Sequence, residues 1–160
     1  MRRVALSVVL MLLLGIVAGL VWLWVADPAE WEVRSAGLVL TEGAARDQFS
    51  VIVAFTTIGA VVSLVWAWIS AVVLEDIGWV ITPVVVIASV LAGIIAWRVG
   101  VELGPPPPAG VTGVTVGDTV PSRLAVDGVA PFLVWPIFGL IGVVVGLVGR
   151  RERDGELVDA

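Results

Sequence analysis

Arg98 and Glu102 stand four residues apart where a long apolar run ends, in "WRVGVELGPPPP". If a helix continues through them, that spacing brings the guanidinium within ion-pair reach of the carboxylate. Two roles fit such a pair. It is either an exposed boundary pair, worth under about 1 kcal/mol, or a polar anchor for the following loop or for a ligand headgroup. Asp47, Glu102, Asp118 and Asp127 could in principle meet outside the apolar segments. Paired carboxylates can hydrolyse glycosides without histidine, but loops of this size are too small for a sugar cleft. The chain has no histidine, cysteine or tyrosine. The commonest general base, the thiolate ligand, the disulfide and the phenolic acid are therefore all unavailable to it. No P-loop, HExxH or Ser/His/Asp set is present. The expectation is a protein that is not an enzyme, with no catalytic residue, no metal ligand and no cofactor.

The elements that must position these residues follow from composition. Of 160 residues, 59% are hydrophobic and only 14% charged, with a mean hydropathy of +1.10. Soluble domains carry about 25% charged residues, and a chain this small cannot hide so much apolar surface in one water-soluble core. That places it in the membrane class, with the lipid bilayer as its first partner. A net charge of −5 argues against a nucleic-acid partner, because no basic surface is available to displace counterions.

Four apolar runs are long enough to span, at 4–26, 49–74, 79–99 and 131–149. The first would be roughly 34 Å long as a helix, against a hydrocarbon core of about 30 Å. "MRR" before it resembles the start of a signal peptide, but the run is long for one and Trp24 occupies the −3 position of the best exit. An uncleaved first span is expected. For the third span, Asp76 could cap the helix, and Thr82-Pro83 also reads as a cap followed by proline. Pro136 is expected to kink or tighten the start of the fourth. The fold class is an all-α bundle of four transmembrane helices, forming one domain over 1–160. Its outer loops are 27–48 and 100–130, with short β-hairpin content, and its tail is 150–160.

Four spans put both termini on one side. Arg2, Arg3, Arg150, Arg151 and Arg153 crowd the terminal ends, whereas the two long loops share Arg34, Arg46, Arg98 and Arg123. The positive-inside rule then places the termini in the cytoplasm of a plasma membrane. Tryptophans favour headgroup level. Trp22, Trp24, Trp97 and Trp135 are expected to line the outer face, and Trp66, Trp68 and Trp79 the inner face.

In lipid, helices associate by close backbone approach and polar contacts. Every span carries small-xxx-small spacing: Gly15 and Gly19; Gly59, Ser63, Ala67 and Ala71; Ala88, Ala92 and Ala96 beside Ser89 and Gly93; Gly142 and Gly146 beside Gly139 and Gly149. Thr56, Ser63 and Ser70 recur at sevens, which keeps them on one helix side, as do Thr82 and Ser89. A hairpin turning near 76–79 would bring these two polar faces together, Ser63 lying level with a position between Ser89 and Ile95. Such hydroxyl contacts would be worth about 0.6 kcal/mol each, or up to 1–2. The alternative, a polar pathway for a solute, normally uses ionisable groups at mid-depth, and no span has one.

In the first loop, "WEVRSAGLVLTE" reads as two extended runs around Ser35-Ala36-Gly37. A lone two-stranded ribbon is marginal in water, so it must lie on the other loop or on a partner. In the second, Pro105–Pro108 form a spacer of about 12 Å. Val111, Val114, Val116 and Val120 then alternate with polar residues as a weak strand signal. The tail "RRERDGELVDA" reads as solvated and disordered.

"AWRVGVELGP", "VPSRLAVDGVAPFLVWP" and "VRSAGLVLTEGAARDQF" together resemble an actinobacterial family of four-span membrane proteins, a domain of unknown function. The specific pieces are Arg98, Gly100, Leu103, Gly104 and Pro105, then Pro121, Leu124, Gly128, Trp135 and Pro136. The resemblance implies a four-span fold in an actinobacterial plasma membrane. It implies no reaction, ligand or catalytic residue.

Two functions fit. One is a non-catalytic accessory or scaffold subunit of the cell envelope, with other membrane proteins as partners. The other is a small transporter or lipid-binding protein with a site under the outer loops. Arg98, Glu102, Asp47 and Trp135 are the candidate functional or interface residues. Gly59, Ser63, Ala67, Ser89, Gly93, Gly142 and Gly146 are the candidate packing residues.

Overall fold

The computed structural model describes residues 1–28, 30–34, 37–40, 44–107, 113, 115, 117–126 and 128–158. Four helices dominate: α1 (Arg2–Val25), α2 (Ala44–Val73), α3 (Ile81–Leu103) and α4 (Ala130–Val158). Three short strands accompany them: β1 (Glu30–Arg34), β2 (Gly37–Leu40) and β3 (Thr119–Pro121). All four helices are long and apolar enough to cross a membrane. A helix is the natural state of such segments, because it satisfies every internal peptide group without water. The chain folds as an all-α four-helix bundle.

Glycine decides which helices touch. A Cβ on Gly15 would meet Ala92, and one on Gly19 would meet Ala96. Both numbers rise together, so α1 and α3 run parallel with their backbones in close approach. On the other side, Gly142 lies against the Leu64 carbonyl and Gly146 against Ala71 and Trp68, so α2 and α4 are likewise a parallel pair. The most extensive packing is α2 on α4 and α1 on α3; α3 with α4 and α1 with α2 close the ring. The consecutive helices α2 and α3 lie across the diagonal and scarcely meet.

That arrangement overturns the expected meeting of the Ser63 and Ser89 faces. Both hydroxyls are fully buried, and neither has a hydrogen-bond partner. Ser89 instead faces α4, where a Cβ on Gly139 would stand 2.9 Å from its Oγ. Thr56 turns back on its own helix and donates to the Ile52 and Val53 carbonyls, each at 3.0 Å. A hydroxyl pair that does meet across helices joins Ser7 of α1 and Ser70 of α2, 2.8 Å apart.

Between α2 and α3 the chain makes a 3-10 turn over Glu75–Val80. Gly78 sits there at φ 58°, a left-handed conformation that glycine adopts without steric cost. The helix starts at Ile81 with no side-chain cap, so neither Asp76 nor Thr82 caps it. Pro83 falls within the first turn, where the N–H it lacks would have no intrahelical acceptor. At the other end, α4 continues through Val158, which corrects the expectation of a disordered tail. Extending an existing helix avoids the nucleation cost, and Arg, Glu and Leu are good helix formers.

The strands form one antiparallel sheet in the order β2-β1-β3. Trp31 is the register residue, paired with Leu40 on one side and Val120 on the other. The expected hairpin therefore finds its third strand in the second loop. Val111, Val114, Val116 and Pro108 lie outside the described residues. The Gln48 side chain donates to the Ala125 carbonyl at 3.0 Å and ties the start of α2 to the same loop.

Candidate functional site

At the loop end, all four helices contribute to an aromatic cluster. Phe55 of α2 is its hub, with ring centroids 5.1 Å from Trp22 of α1, 5.4 Å from Phe132 and 5.8 Å from Trp135 of α4. Trp97 of α3 joins through Phe132 at 6.0 Å. Three glycines provide slots for the largest rings. The Trp22 ring covers Gly100, and Trp135 stands over Gly59 and Gly93. The Trp22 Nε1–H donates to the Val51 carbonyl at 2.9 Å.

Burial corrects three of the seven positions in the expected tryptophan belts. Trp22 and Trp135 are fully buried and Trp66 nearly so; all three are core rather than interface side chains. Trp24, Trp68 and Trp79 are exposed. The Trp135 Nε1–H, like the Ser63 and Ser89 hydroxyls, is buried without a hydrogen-bond partner. Such groups are costly in a protein interior, and their presence marks shape rather than polarity as the organising feature there.

The charged candidates are dispersed. Arg98 and Glu102 form an ion pair at 3.7 Å, with side chains 65% and 70% exposed, and the Arg98 guanidinium also lies 5.2 Å from the Trp97 ring centre. Helix α3 continues past Arg98 to Leu103, as the pair requires. So exposed a pair is a boundary feature of small energetic weight. Asp47 lies in the first turn of α2, where a carboxylate interacts favourably with the helix dipole. Asp118 accepts hydrogen bonds from the Thr115 backbone N–H at 2.7 Å and from its hydroxyl at 2.9 Å. Those two bonds, the backbone one foremost, hold its carboxyl below the usual range. Asp127 lies outside the described residues. Among the described residues no acidic cluster could hold a metal ion.

The packing candidates occupy the interior. Gly59 and Gly93 flank Trp135, Gly142 and Gly146 receive α2, and Ala67 is fully buried against Gly142.

Sequence reasoning missed a groove at the terminal end. It lies between α1 and α2, with a volume of about 710 Å³. Leu6, Leu10 and Leu14 form one wall, and Val61, Val65 and Ile69 the other. The bonded hydroxyls of Ser7 and Ser70 line it, and the Trp66 Nε1–H donates to the Ser7 carbonyl at 3.1 Å. Arg3 lies at the mouth. The only signal in the sequence was the i, i+4 recurrence of large aliphatics, which any lipid-facing ridge shares. No family model matches this chain, and neither a curated protein nor a solved structure is found similar to it.

Proposed function

We propose that the protein is a non-catalytic, multi-pass protein of an actinobacterial plasma membrane, both termini cytoplasmic, acting as an accessory or scaffold subunit in the cell envelope. The observation that carries this reading is the aromatic cluster. Rings from all four helices interlock at the loop end, where a solute pathway through the bundle would have to open. Binding through the outer face is then the natural mode of action, and the sheet β2-β1-β3 provides a paired, ordered surface for it. Orientation is supported by Arg2, Arg3 and Arg150 at the terminal end. The actinobacterial placement rests on the resemblance carried by Arg98, Gly100, Pro121 and Trp135.

Affinity purification of the tagged chain in mild detergent, with the mass of the particle measured, tests the reading. A stoichiometric assembly with another membrane protein, lost on substituting exposed sheet residues such as Glu30, is expected. A lone monomer or homo-oligomer contradicts it. A second reading, lipid binding, is favoured by one observation, the groove at the terminal end. Its place differs from the site under the outer loops that the sequence suggested.

A further inference from the structure

We infer that the groove between α1 and α2 is a binding site for one anionic phospholipid, an acyl chain lying between the helices and the phosphate meeting Arg3. The inference is independent of the accessory role.

Its dimensions match one leaflet. The groove runs along α1 from Arg3 to Leu14, about 16 Å at helical rise, roughly half of a hydrocarbon core of about 30 Å. It therefore reaches from headgroup level to the bilayer midplane. A volume of about 710 Å³ lies within the range of small-molecule sites.

Its walls suit a chain better than a helix. Transmembrane helices pack where small residues let backbones approach, and those faces are already used. Gly15 and Gly19 of α1 lie on α3, while Ala67 and Ala71 of α2 lie on Gly142 and Gly146. Apart from Arg3, Ser7, Ser70 and Trp66, the groove is lined by leucine, valine and isoleucine, which hold a helix backbone away but fit around a flexible chain. The polar groups on the wall bond within the protein, Ser7 and Ser70 to each other and the indole of Trp66 to the Ser7 carbonyl.

Its mouth carries a cation. At the same end of the bundle, Arg150 is paired with Glu75. Arg3 is exposed, and among the described residues no carboxylate pairs with it. An arginine at headgroup level binds phosphate oxygens through charge-assisted hydrogen bonds.

The test is native mass spectrometry of the full chain released from vesicles of phosphatidylcholine with phosphatidylglycerol, counting lipids retained. One phosphatidylglycerol per chain is expected. Arg3→Gln should reduce its retention about fivefold, which corresponds to about 1 kcal/mol for one basic residue near an anionic surface. Arg2→Gln, the same change of charge one residue away, should have the smaller effect. Leu10→Trp, which fills the groove, should abolish retention while circular dichroism stays unchanged. Equal losses for Arg2→Gln and Arg3→Gln would mean diffuse attraction to the termini and overturn the proposal. So would retention that survives Leu10→Trp. The chain lacks cysteine, so Leu10→Cys gives a single thiol; disulfide-linked dimers of that variant in the same vesicles would assign the groove to a second copy and overturn the proposal as well.

Discussion

The indole of Trp135 occupies the space where a side chain on Gly59 would begin. The two residues belong to α4 and α2, and Gly93 of α3 closes the slot from the other side, a Cβ there standing 3.1 Å from the Trp135 ring. One tryptophan thus fixes the distance between three helices. Any Cβ on Gly59 must displace a rigid, fully buried ring.

Gly59→Ala should therefore destabilise the bundle by about 1–3 kcal/mol, the usual cost of overpacking. Gly93→Ala should cost less, because its neighbour needs to yield by only a few tenths of an ångström. Gly149→Ala, which meets nothing, should be neutral or slightly stabilising. Thermal unfolding in detergent ranks the three, and an equal effect for Gly59 and Gly149 would contradict the slot.

The serines give an inverse prediction. Ser63 and Ser89 bond to nothing, so Ser63→Ala and Ser89→Ala remove an unsatisfied hydroxyl and should leave stability unchanged or raised. Ser70→Ala breaks the bond to Ser7 and should cost about 0.6 kcal/mol. Equilibrium unfolding in mixed micelles measures the difference. A loss at Ser63 larger than that at Ser70 would mean that the two diagonal helices do share a polar contact.

For Arg98 and Glu102, a double-mutant cycle to alanine should return under about 1 kcal/mol of coupling. Raising the salt should weaken it further, because both side chains are exposed. Coupling that is strong and insensitive to salt would restore the anchoring role considered from the sequence.

Asp118 gives the pH dependence. Its carboxyl is held below the ordinary value of 3.8 by the Thr115 backbone and side-chain hydrogen bonds. A depressed folded value means that the ionised form stabilises the loop. The contribution is fully present above the ordinary value and is lost as the pH falls through the lower folded one. Protection of the Thr115 amide, its exchange measured relative to the intrinsic rate at each pH, should therefore hold at pH 5 and fall below about pH 4; Asp118→Asn should remove that fall. Protection that does not change between about pH 5 and pH 3 in the unsubstituted chain would contradict the assignment.

Much of this fold was legible before any coordinates. Length and apolarity identify four spans because nothing else satisfies their backbones in lipid. The glycine and alanine spacings identify which faces pack. They do not identify the partner: Gly15 and Gly19 read the same whether they face α2 or α3, and chain connectivity pointed towards an α2–α3 contact that the bundle does not make. Trp22 and Trp135 were misplaced for a related reason. A tryptophan near a helix end belongs at headgroup level unless a glycine on another helix opens a slot for it, as Gly100 and Gly59 do. That pairing is a tertiary fact. The loop sheet was half visible, since the first-loop hairpin has its own alternation, whereas β3 is only three residues long and gains its strand character from Trp31 beside it. The groove was not visible at all, because it depends on how α1 and α2 pack on each other, which no single span records.

The helix order is tested most directly by paired cysteines in a chain that has none of its own. Oxidation in native membranes should link Gly15→Cys to Ala92→Cys and Ala71→Cys to Gly146→Cys, because a Cβ at Gly15 would stand 3.1 Å from that of Ala92 and one at Gly146 2.9 Å from that of Ala71, near enough for a disulfide once the helices give slightly. Ser63→Cys with Ser89→Cys should remain reduced. A disulfide between 63 and 89, with none between 71 and 146, would put α2 against α3 and contradict the bundle described.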